Sequence, residues 1–430
     1  MTVEVIEPAL RFSAAMRVPG DKSIAHRALI LGAMAGGDSE LEGVPDGEDV
    51  GATADCLRRL GCQVDVAGSR RHVHGRGLDA WRSPQSALDC KNSGTTMRVL
   101  SGALAGSRVS ATLAGDVSLS RRPMERVVQP LRRMGARITD ADGRAPLTID
   151  GTELTGCDHD LPQASAQVKT ALLLAGLHAI GPTTVSEPYP TRDHTERLLT
   201  AMGARVSRVD GAIRIQPAEE SLSPLRLSIP GDFSSAAFFF AAAALRPGWS
   251  AAVSDVGLNQ SRTALLDILE EMGAGVEVQL EDGAAVEPHG RVTVRGRGLR
   301  AVRLEADRVA QAIDEIPVLL VVASQAEGVT TVAGAAELRV KESDRLATMA
   351  EGLRRMGVPV EETPDGIAVQ GPTALQRARV GSGGDHRVAM ALAVAALVAN
   401  GPVSIDDAAV VSISYPEFFR ELGAAAHEGS

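Results

Sequence analysis

Residues 18–37 read VPGDKSIAHRALILGAMAGG, a charged turn followed by a helix that is apolar on all sides. The basic residues collect at the N-terminal end of this helix instead of along one solvent-facing side. Free backbone N–H groups and the helix dipole favour anions at that end. The stretch therefore predicts a buried helix whose first turn faces a phosphate or a carboxylate. For a single copy, a charged N-cap without a ligand is the alternative.

Two series of helices, each ending near a glycine, run through the chain at intervals of roughly seventy residues. Amphipathic helices end at glycines that we expect to be left-handed C-caps: Gly61, Gly135, Gly203, Gly273, Gly357 and Gly423. All-apolar helices end near a second set: Gly36, Gly106, Gly181, Gly248, Gly328 and Gly401. Alternating segments after the first five glycines of the first series predict strand pairs. The chain thus predicts six copies of strand, buried helix, strand, amphipathic helix and hairpin.

Three copies fall in each half of the chain. This predicts an α/β fold of two similar domains, each with three βαβαββ repeats around buried helices. The join lies near residues 221–235, SLSPLRLSIPGDFSS. A cleft between the two domains is the expected ligand site.

Composition excludes several classes of protein. The chain of 430 residues has a net charge of −10 and only 3% aromatic residues, which argues against a nucleic acid or an anionic membrane as partner. Its four cysteines lack metal-ligand spacing, so no metal site is expected. Neither a P-loop nor a GxGxxG segment after a strand is present, so no nucleotide cofactor is expected. With no signal-peptide pattern and no apolar run of membrane-spanning length, we expect a cytoplasmic protein.

Each predicted buried helix begins with a polar cluster: GDKSIAHR, NSGTTMR, ASAQVK, GDFSS, DEIP and GDHR. Three amphipathic helices begin in the same way, with SRRPMER, TRDHTER and VKESDR. The basic residues selected from these nine clusters are Lys22, Arg27, Arg98, Arg122, Lys169, Arg192, Lys341, Arg345 and Arg387. If the repeats bring these ends together, they form a strongly cationic site for ligands with several phosphate and carboxylate groups. Asp314 and Glu342 would then lie among cations, as an acid, a base or ion-pair partners.

In order along nearly the whole chain, PGDKSIAHRAL, NSGTTMR, GDVSLSRRPM, SAQVKTALLLAG, TRDHTE, DEIP, LRVKESDR and DHRVAM resemble the motifs of the 5-enolpyruvylshikimate-3-phosphate synthase family. The resemblance implies an inside-out α/β barrel with the first strand in the C-terminal half. The domains would be residues 1–20 plus 230–430 and residues 21–229. It also implies addition and elimination that transfer the enolpyruvyl group of phosphoenolpyruvate to the 5-hydroxyl of shikimate 3-phosphate. Phosphate leaves, and the enzyme is expected to be a monomer without a cofactor.

The same resemblance implies roles for individual residues. Asp314 would be the base for the hydroxyl, and Glu342, alone or with Lys22, would handle the proton at C3 of phosphoenolpyruvate. The implied ligands of shikimate 3-phosphate are Lys22, Ser23, Arg27, Ser165, Ala166, Gln167, Arg192, Asp314 and Lys341. Those of phosphoenolpyruvate are Lys22, Gly94, Arg122, Gln167, Arg345 and Arg387.

Three positions depart from the pattern of some members. Ala166 replaces a serine, so one hydrogen bond to the phosphate of shikimate 3-phosphate would come from the backbone. Ile413 replaces a lysine, which leaves the phosphate of phosphoenolpyruvate with fewer cations. Ala25 replaces a serine, and we expect this to be neutral. Gly94 is the small residue that leaves room beside phosphoenolpyruvate, which predicts competitive inhibition by the herbicide glyphosate.

Three alternatives remain at this point. The sister family that acts on UDP-N-acetylglucosamine shares the fold, but many of its members carry a cysteine in the loop that here reads GDVSLSRRPM. A paralogue acting on a modified shikimate-like acceptor would keep all of these motifs. A regulatory anion-binding protein would have lost Lys22, Asp314 or Glu342, and all three are present.

Overall fold

The structure is a computed structural model that describes residues 2–281 and 286–427. Its contacts divide the chain into two compact units. The split unit consists of the residues up to Pro19 together with those from Pro230 onward, and the central unit is Gly20–Ile229. None of the helices in the described ranges is long and apolar enough to cross a membrane.

The α-helices of the described residues alternate along the chain between buried and amphipathic ones. In chain order they are α1 (Lys22–Met34), α2 (Glu48–Arg59), α3 (Gly94–Ala105), α4 (Glu125–Arg133), α5 (Ala166–Gly176), α6 (His194–Ala201), α7 (Phe233–Ala244), α8 (Ala264–Met272), α9 (Ala306–Gln311), α10 (Ile316–Ala323), α11 (Arg345–Arg355), α12 (His386–Ala396) and α13 (Phe418–His427).

The strands are short. In chain order they are β1 (Val3–Ile6), β2 (Ser13–Met16), β3 (Asp38–Glu42), β4 (Gln63–Ala67), β5 (Arg70–His74), β6 (Leu88–Asp89), β7 (Ser110–Ala114), β8 (Arg137–Ala141), β9 (Arg144–Asp150), β10 (Leu154–Thr155), β11 (Asp158–Asp160), β12 (Ala179–Ile180), β13 (Thr183–Ser186), β14 (Val206–Val209), β15 (Ala212–Ile215), β16 (Arg226–Ser228), β17 (Ser250–Gly257), β18 (Gly275–Leu280), β19 (His289–Arg295), β20 (Arg303–Leu304), β21 (Gly328–Val332), β22 (Val360–Thr363), β23 (Gly366–Gly371), β24 (Ala378–Gly381) and β25 (Val403–Asp406).

Six sheets follow one plan. In each of them a first strand pairs in parallel with a second strand, and the second strand pairs antiparallel with a third. The central unit contains β16-β3-β5-β4, β6-β7-β9-β8 and β11-β13-β15-β14, and the split unit contains β2-β17-β19-β18, β20-β21-β23-β22 and β24-β25-β1. The predicted α/β class with its repeated unit is therefore confirmed.

Strand exchange closes the repeats. β2 precedes the central unit in the chain but pairs with β17, and β16 follows the repeats of the central unit but pairs with β3. In the sixth sheet no hairpin follows β25, and β1 takes the place of its third strand. The chain therefore passes twice from one unit to the other.

Helices α1, α3, α5, α7, α10 and α12 are the predicted apolar helices, and nearly all of their residues are buried. In the central unit α3 packs on α1 and α5, and in the split unit α7, α10 and α12 pack on one another. Gly102 makes the α3–α5 contact close, because a Cβ there would lie 2.0 Å from the carbonyl oxygen of Ala171. Each unit thus has a core of helices without a polar side.

The C-cap prediction holds for five of six glycines. Gly61, Gly135, Gly203, Gly273 and Gly357 have φ between 88° and 108°. It is wrong for Gly423, which lies inside α13. Three alanines follow Gly423, and alanine is the best helix former, so the helix continues. In the second series only α3 ends directly before its glycine, Gly106, whereas the other five buried helices end two to five residues before theirs.

A series of buried, hydrogen-bonded side chains joins α1, α2 and α3 in the central unit. His26 Nδ1 lies 2.7 Å from Thr53 Oγ1, which lies 2.7 Å from Thr96 Oγ1. Burial lowers the pKa of His26 to about 3, and the charges of Lys22 and Arg27 act in the same direction, although Asp49 opposes them. The imidazole is therefore neutral in the folded protein at neutral pH.

This pKa predicts an acid-sensitive contribution to stability. Between about pH 6.5 and pH 3 the unfolded chain binds a proton at His26 that the folded chain does not, so the free energy of unfolding falls as the pH falls. The His26→Asn substitution places a polar amide near the position of Nδ1 but removes the titratable imidazole. Urea unfolding followed by circular dichroism at pH 4.5 to 7.5 should show a slope shallower by up to about 1.4 kcal/mol per pH unit than wild type. Identical slopes would contradict the assignment.

Candidate active site

The first turns of the buried helices are capped by side chains of the polar clusters. Five caps accept hydrogen bonds from amides of the first turn: Asp21, Ser93, Ser165, Asp232 and Asp385. Such capping satisfies amides that have no partner inside the helix. Each cap contributes about 1 kcal/mol to stability. The clusters quoted from the sequence therefore begin helices, as predicted.

In the central unit, Arg27 joins the first turns of α1 and α5. Its Nη2 donates to the carbonyl oxygen of Ala166 at 3.3 Å and to Thr170 Oγ1 at 3.0 Å, and its Nε donates to Thr195 Oγ1 at 2.8 Å. Nη1 donates to the carbonyl oxygen of Ser23 at 2.9 Å. Arg27 is buried, so its guanidinium is held in one orientation.

The first turns of α3 and α5 meet at Gln167. Arg98 Nη1 donates to Gln167 Oε1 at 2.8 Å, and Gln167 Nε2 donates to Thr95 Oγ1 at 2.8 Å. Gly94, the first residue of α3, lies against these groups, because a Cβ there would be 2.8 Å from Arg98 Nη1 and 3.3 Å from Arg122 Nη1. Arg122 follows a short 3-10 helix and donates to Asn92 Oδ1.

Two further cations lie at the start of α1. Lys22 Nζ contacts Asp49 Oδ2 at 2.9 Å. Arg192, in the segment before α6, donates from Nη1 to Ser23 Oγ at 3.2 Å. The nine expected positions of the central unit are therefore brought together around the first turns of α1, α3 and α5: Lys22, Ser23, Arg27, Gly94, Arg122, Ser165, Ala166, Gln167 and Arg192.

Lys169 does not belong to this cationic group, and the expectation for it is wrong. It is buried on α5, and its Nζ lies 3.0 Å from Glu187 Oε2 and 2.9 Å from Glu196 Oε1. Glu187 also accepts hydrogen bonds from the backbone N–H of Ser165 and from Thr191. A buried ammonium group needs such partners. Lys169 therefore holds Glu187 and Glu196 in place, and Glu187 in turn binds the start of α5.

In the split unit, a buried arginine organises the acids. Arg345, the first residue of α11, donates from Nε to Asp385 Oδ2 at 2.7 Å, from Nη2 to Glu342 Oε2 at 2.6 Å and from Nη1 to Asp314 Oδ1 at 3.3 Å. Burial by itself lowers the pKa of Arg345, but the charges of Asp385, Glu342 and Asp314 outweigh burial and raise this pKa. The guanidinium stays charged, and both proposed proton carriers are bonded to it.

Asp314 lies among three guanidinium groups. Besides Arg345, Arg262 Nη1 is 3.8 Å and Arg387 Nη2 is 3.6 Å from Asp314 Oδ2. Arg387 also donates to the carbonyl oxygen of Asp314 at 3.1 Å. Lys341 pairs with Glu337 at 2.8 Å.

The sequence predicted a strongly cationic site, and this prediction is wrong for the split unit. Its arginines and Lys341 are paired with carboxylates, because packing places acids from other elements beside them. Five carboxylates share this region with Arg262, Arg345 and Arg387: Asp232, Asp314, Glu315, Glu342 and Asp385. The site in this unit is a charge network that combines both signs.

Sequence reasoning missed several members of these networks. Asp49, Asn92, Arg262 and Asp385 were not selected as site residues, although each contacts one that was. A signal for Asp385 was its place in the GDHR cluster, as the residue before a buried helix. Asp49 opens an amphipathic helix in the same way as the selected clusters, but without a basic residue beside it.

Comparison with known proteins agrees with this geometry. Residues 6–422 match the family described as EPSP synthase (3-phosphoshikimate 1-carboxyvinyltransferase). The chain is 47% identical over 421 residues to a 3-phosphoshikimate 1-carboxyvinyltransferase of Herpetosiphon aurantiacus, covering 97% of this chain and 98% of the relative. The solved EPSP synthase of Acinetobacter baumannii is 40% identical with a TM-score of 0.87, covering 99% of this chain and 98% of that one.

A more distant structure bears on the fold alone. The enolpyruvyl transferase NikO of Streptomyces tendae is 21% identical with a TM-score of 0.78, covering 98% of this chain and 97% of that one. This likeness shows that the two chains share a fold. The family match and the curated relatives place the chain in the class of enolpyruvyl (carboxyvinyl) transferases. Within that class, the chain belongs to the EPSP synthase (3-phosphoshikimate 1-carboxyvinyltransferase) family. The predicted family and its reaction, enolpyruvyl transfer from phosphoenolpyruvate to shikimate 3-phosphate, are confirmed.

The position of Gly94 predicts the effect of a single methyl group. In the Gly94→Ala variant the Cβ would push the Arg98 guanidinium away from Gln167, while the helix backbone is undisturbed. Because the family resemblance implies that Gly94 lines the phosphoenolpyruvate site, we expect the KM for phosphoenolpyruvate to rise by roughly tenfold, equivalent to about 1.4 kcal/mol, and the KM for shikimate 3-phosphate to rise less. Gly51→Ala, on an open surface of α2, is the matched control and should leave both constants unchanged. Equal effects on both substrates would contradict this placement.

Proposed function

We propose that the two networks divide the work of the reaction. The cations at the first turns of α1, α3 and α5 bind the anionic groups of the substrates, and the carboxylates on Arg345 transfer protons. The observation that carries this proposal is that one buried guanidinium holds both Asp314 and Glu342. In addition, the hydroxyl must lose a proton while C3 of phosphoenolpyruvate gains one, so two acid–base groups are needed at once.

The proposed roles of the individual residues are those that the family resemblance implies. Asp314 takes the proton from the 5-hydroxyl, and the oxygen attacks C2 of phosphoenolpyruvate. Glu342, alone or together with Lys22, delivers a proton to C3 and removes one from the same carbon when phosphate leaves. Arg345 keeps its charge throughout and stabilises whichever carboxylate is ionised.

Anion binding in the central unit uses groups that are already oriented. The proposed ligands of shikimate 3-phosphate in the central unit are Lys22, Ser23, Arg27, Ser165, Gln167, Arg192 and the backbone at Ala166, and those in the split unit are Asp314 and Lys341. The proposed ligands of phosphoenolpyruvate in the central unit are Lys22, Gly94, Arg122 and Gln167, and those in the split unit are Arg345 and Arg387. Arg27, Arg122 and Arg192 are oriented by hydrogen bonds to hydroxyl and amide oxygens, and guanidinium groups bind phosphate and carboxylate oxygens in the same way.

The enzyme is further proposed to act in the cytoplasm as a monomer. Its four cysteines are free thiols, and Cys56, Cys62 and Cys90 are buried, as is usual in a reducing compartment. Size-exclusion chromatography with light scattering tests the monomer directly. A mass of twice 44.8 kDa would contradict it.

The acceptor is tested by phosphate release from phosphoenolpyruvate, measured in parallel with shikimate 3-phosphate and UDP-N-acetylglucosamine. Release with shikimate 3-phosphate alone supports shikimate 3-phosphate as the acceptor. Release with UDP-N-acetylglucosamine, or with neither acceptor, overturns this assignment.

Substitution of the two carboxylates tests the division of roles. Asp314→Asn and Glu342→Gln keep the shape of the side chains and remove proton transfer, so kcat should fall by about 10²- to 10⁴-fold in each. The KM for both substrates should change far less. Glu351→Gln, which alters an exposed carboxylate of α11 paired with Arg355, is the matched control and should retain wild-type kcat. A variant of Asp314 or Glu342 with unchanged kcat would refute the role of that residue.

Glyphosate tests the phosphoenolpyruvate site independently. Because Gly94 has no Cβ, the guanidinium groups of Arg98 and Arg122 lie directly against the start of α3, and we expect inhibition that is competitive with phosphoenolpyruvate. In Gly94→Ala the inhibition constant should rise, and in Gly51→Ala it should not. Inhibition that higher phosphoenolpyruvate does not relieve would contradict the proposal.

A further inference from the structure

The sheet β16-β3-β5-β4 carries histidines and carboxylates that the transfer reaction does not use. His72 and His74 are two residues apart on β5, so their side chains lie on the same face. Val73 between them is fully buried on the opposite face. Asp65 of β4 is in register with His72, and Asp38 of β3 is in register with His74. Strand pairing therefore gathers four metal-ligating side chains on one surface.

The donor atoms of three of these residues are at the spacing of metal ligands. His72 Nδ1 is 3.1 Å from His74 Nε2, which is 2.9 Å from Asp65 Oδ2. Ligand atoms of the three residues all lie within 4.8 Å of one another. Zinc ligands at 2.0–2.1 Å in a tetrahedron are about 3.4 Å apart, so small side-chain rotations are enough to place a cation between them.

The surrounding groups orient the ligands. His74 Nδ1 lies 3.3 Å from Asp38 Oδ1, an arrangement in which the carboxylate accepts the second ring proton and directs Nε2 to the metal. Gln63 Nε2 donates to Asp65 Oδ1 at 3.2 Å. His74 is largely covered, whereas Asp65 is exposed, so a cation can enter from solvent.

We propose that His72 Nδ1, His74 Nε2 and Asp65 Oδ2 bind one divalent transition-metal ion such as Zn²⁺, with Asp38 as the partner of His74. Two imidazoles and one carboxylate favour zinc, nickel or cobalt over magnesium, which prefers oxygen ligands. A fourth coordination position is left for water. The site belongs to one sheet of the central unit and does not depend on the proposed catalytic roles. Without a metal, the same side chains form a hydrogen-bonded network, which is the alternative that the experiment has to exclude.

Calorimetric titration of the chelator-treated full chain with ZnCl₂ and, separately, MgCl₂ tests the site. One equivalent of Zn²⁺ should bind, and Mg²⁺ should not compete. His74→Gln and Asp65→Asn should each lower the zinc affinity at least tenfold, and Asp38→Asn should lower it by about 10- to 100-fold. His178→Gln removes a histidine from another sheet region and should retain wild-type affinity. Bound Co²⁺ should show the intense visible absorption of a tetrahedral site.

Folding is controlled separately. Saturating Zn²⁺ should raise the Tm of wild type but not that of His74→Gln, and all variants should keep the transferase activity in EDTA. If His74→Gln does not fold, His72→Gln provides the same comparison. Equal zinc affinity in wild type and in these variants, or only the weak spectrum of octahedral Co²⁺, would overturn the proposal.

Discussion

A buried helix cannot leave its first amide groups without partners, and both units of this protein are built around that constraint. The six apolar helices satisfy nearly all of their backbone internally, but their first turns need external acceptors. In five of the six helices Asp21, Ser93, Ser165, Asp232 and Asp385 supply them. Polar side chains therefore collect where the helices begin, while the rest of each helix stays apolar. This puts charged chemistry next to a rigid core, where side chains can be held in one orientation.

The arginines at these helix starts have different partners in the two units. In the central unit, Arg27 and Arg98 join neighbouring helices by donating to carbonyl, hydroxyl and amide oxygens. In the split unit, Arg345 is bonded to three carboxylates. In the proposed division of roles, the first arrangement binds anions, and the second places the carboxylates assigned to proton transfer beside a fixed positive charge. A reaction that joins two multiply charged anions and moves two protons requires both.

Much of the fold could be predicted because it is repeated. Six copies of one pattern predicted the buried helices, the strand pairs and the positions of most C-caps, since each copy supports the interpretation of the others. The prediction was wrong at Gly423, where three following alanines continue the helix. The last repeat is completed instead by β1, a pairing between residues at opposite ends of the chain that no local pattern could indicate.

By itself, the sequence determined the class of fold, the family and the helix starts at which the site lies, because capping and apolar periodicity are local and recur in every copy. Only the tertiary structure decided which charges meet. Lys169 was expected among the substrate-binding cations but is paired with Glu187 and Glu196, and Arg345 is bonded to an aspartate forty residues away. The same holds for the three-residue cluster on β4 and β5, which exists because strand register sets Asp65 opposite His72. Burial makes an unpaired charge costly, so packing across distant segments selects each partner, and that selection is not encoded in any single segment.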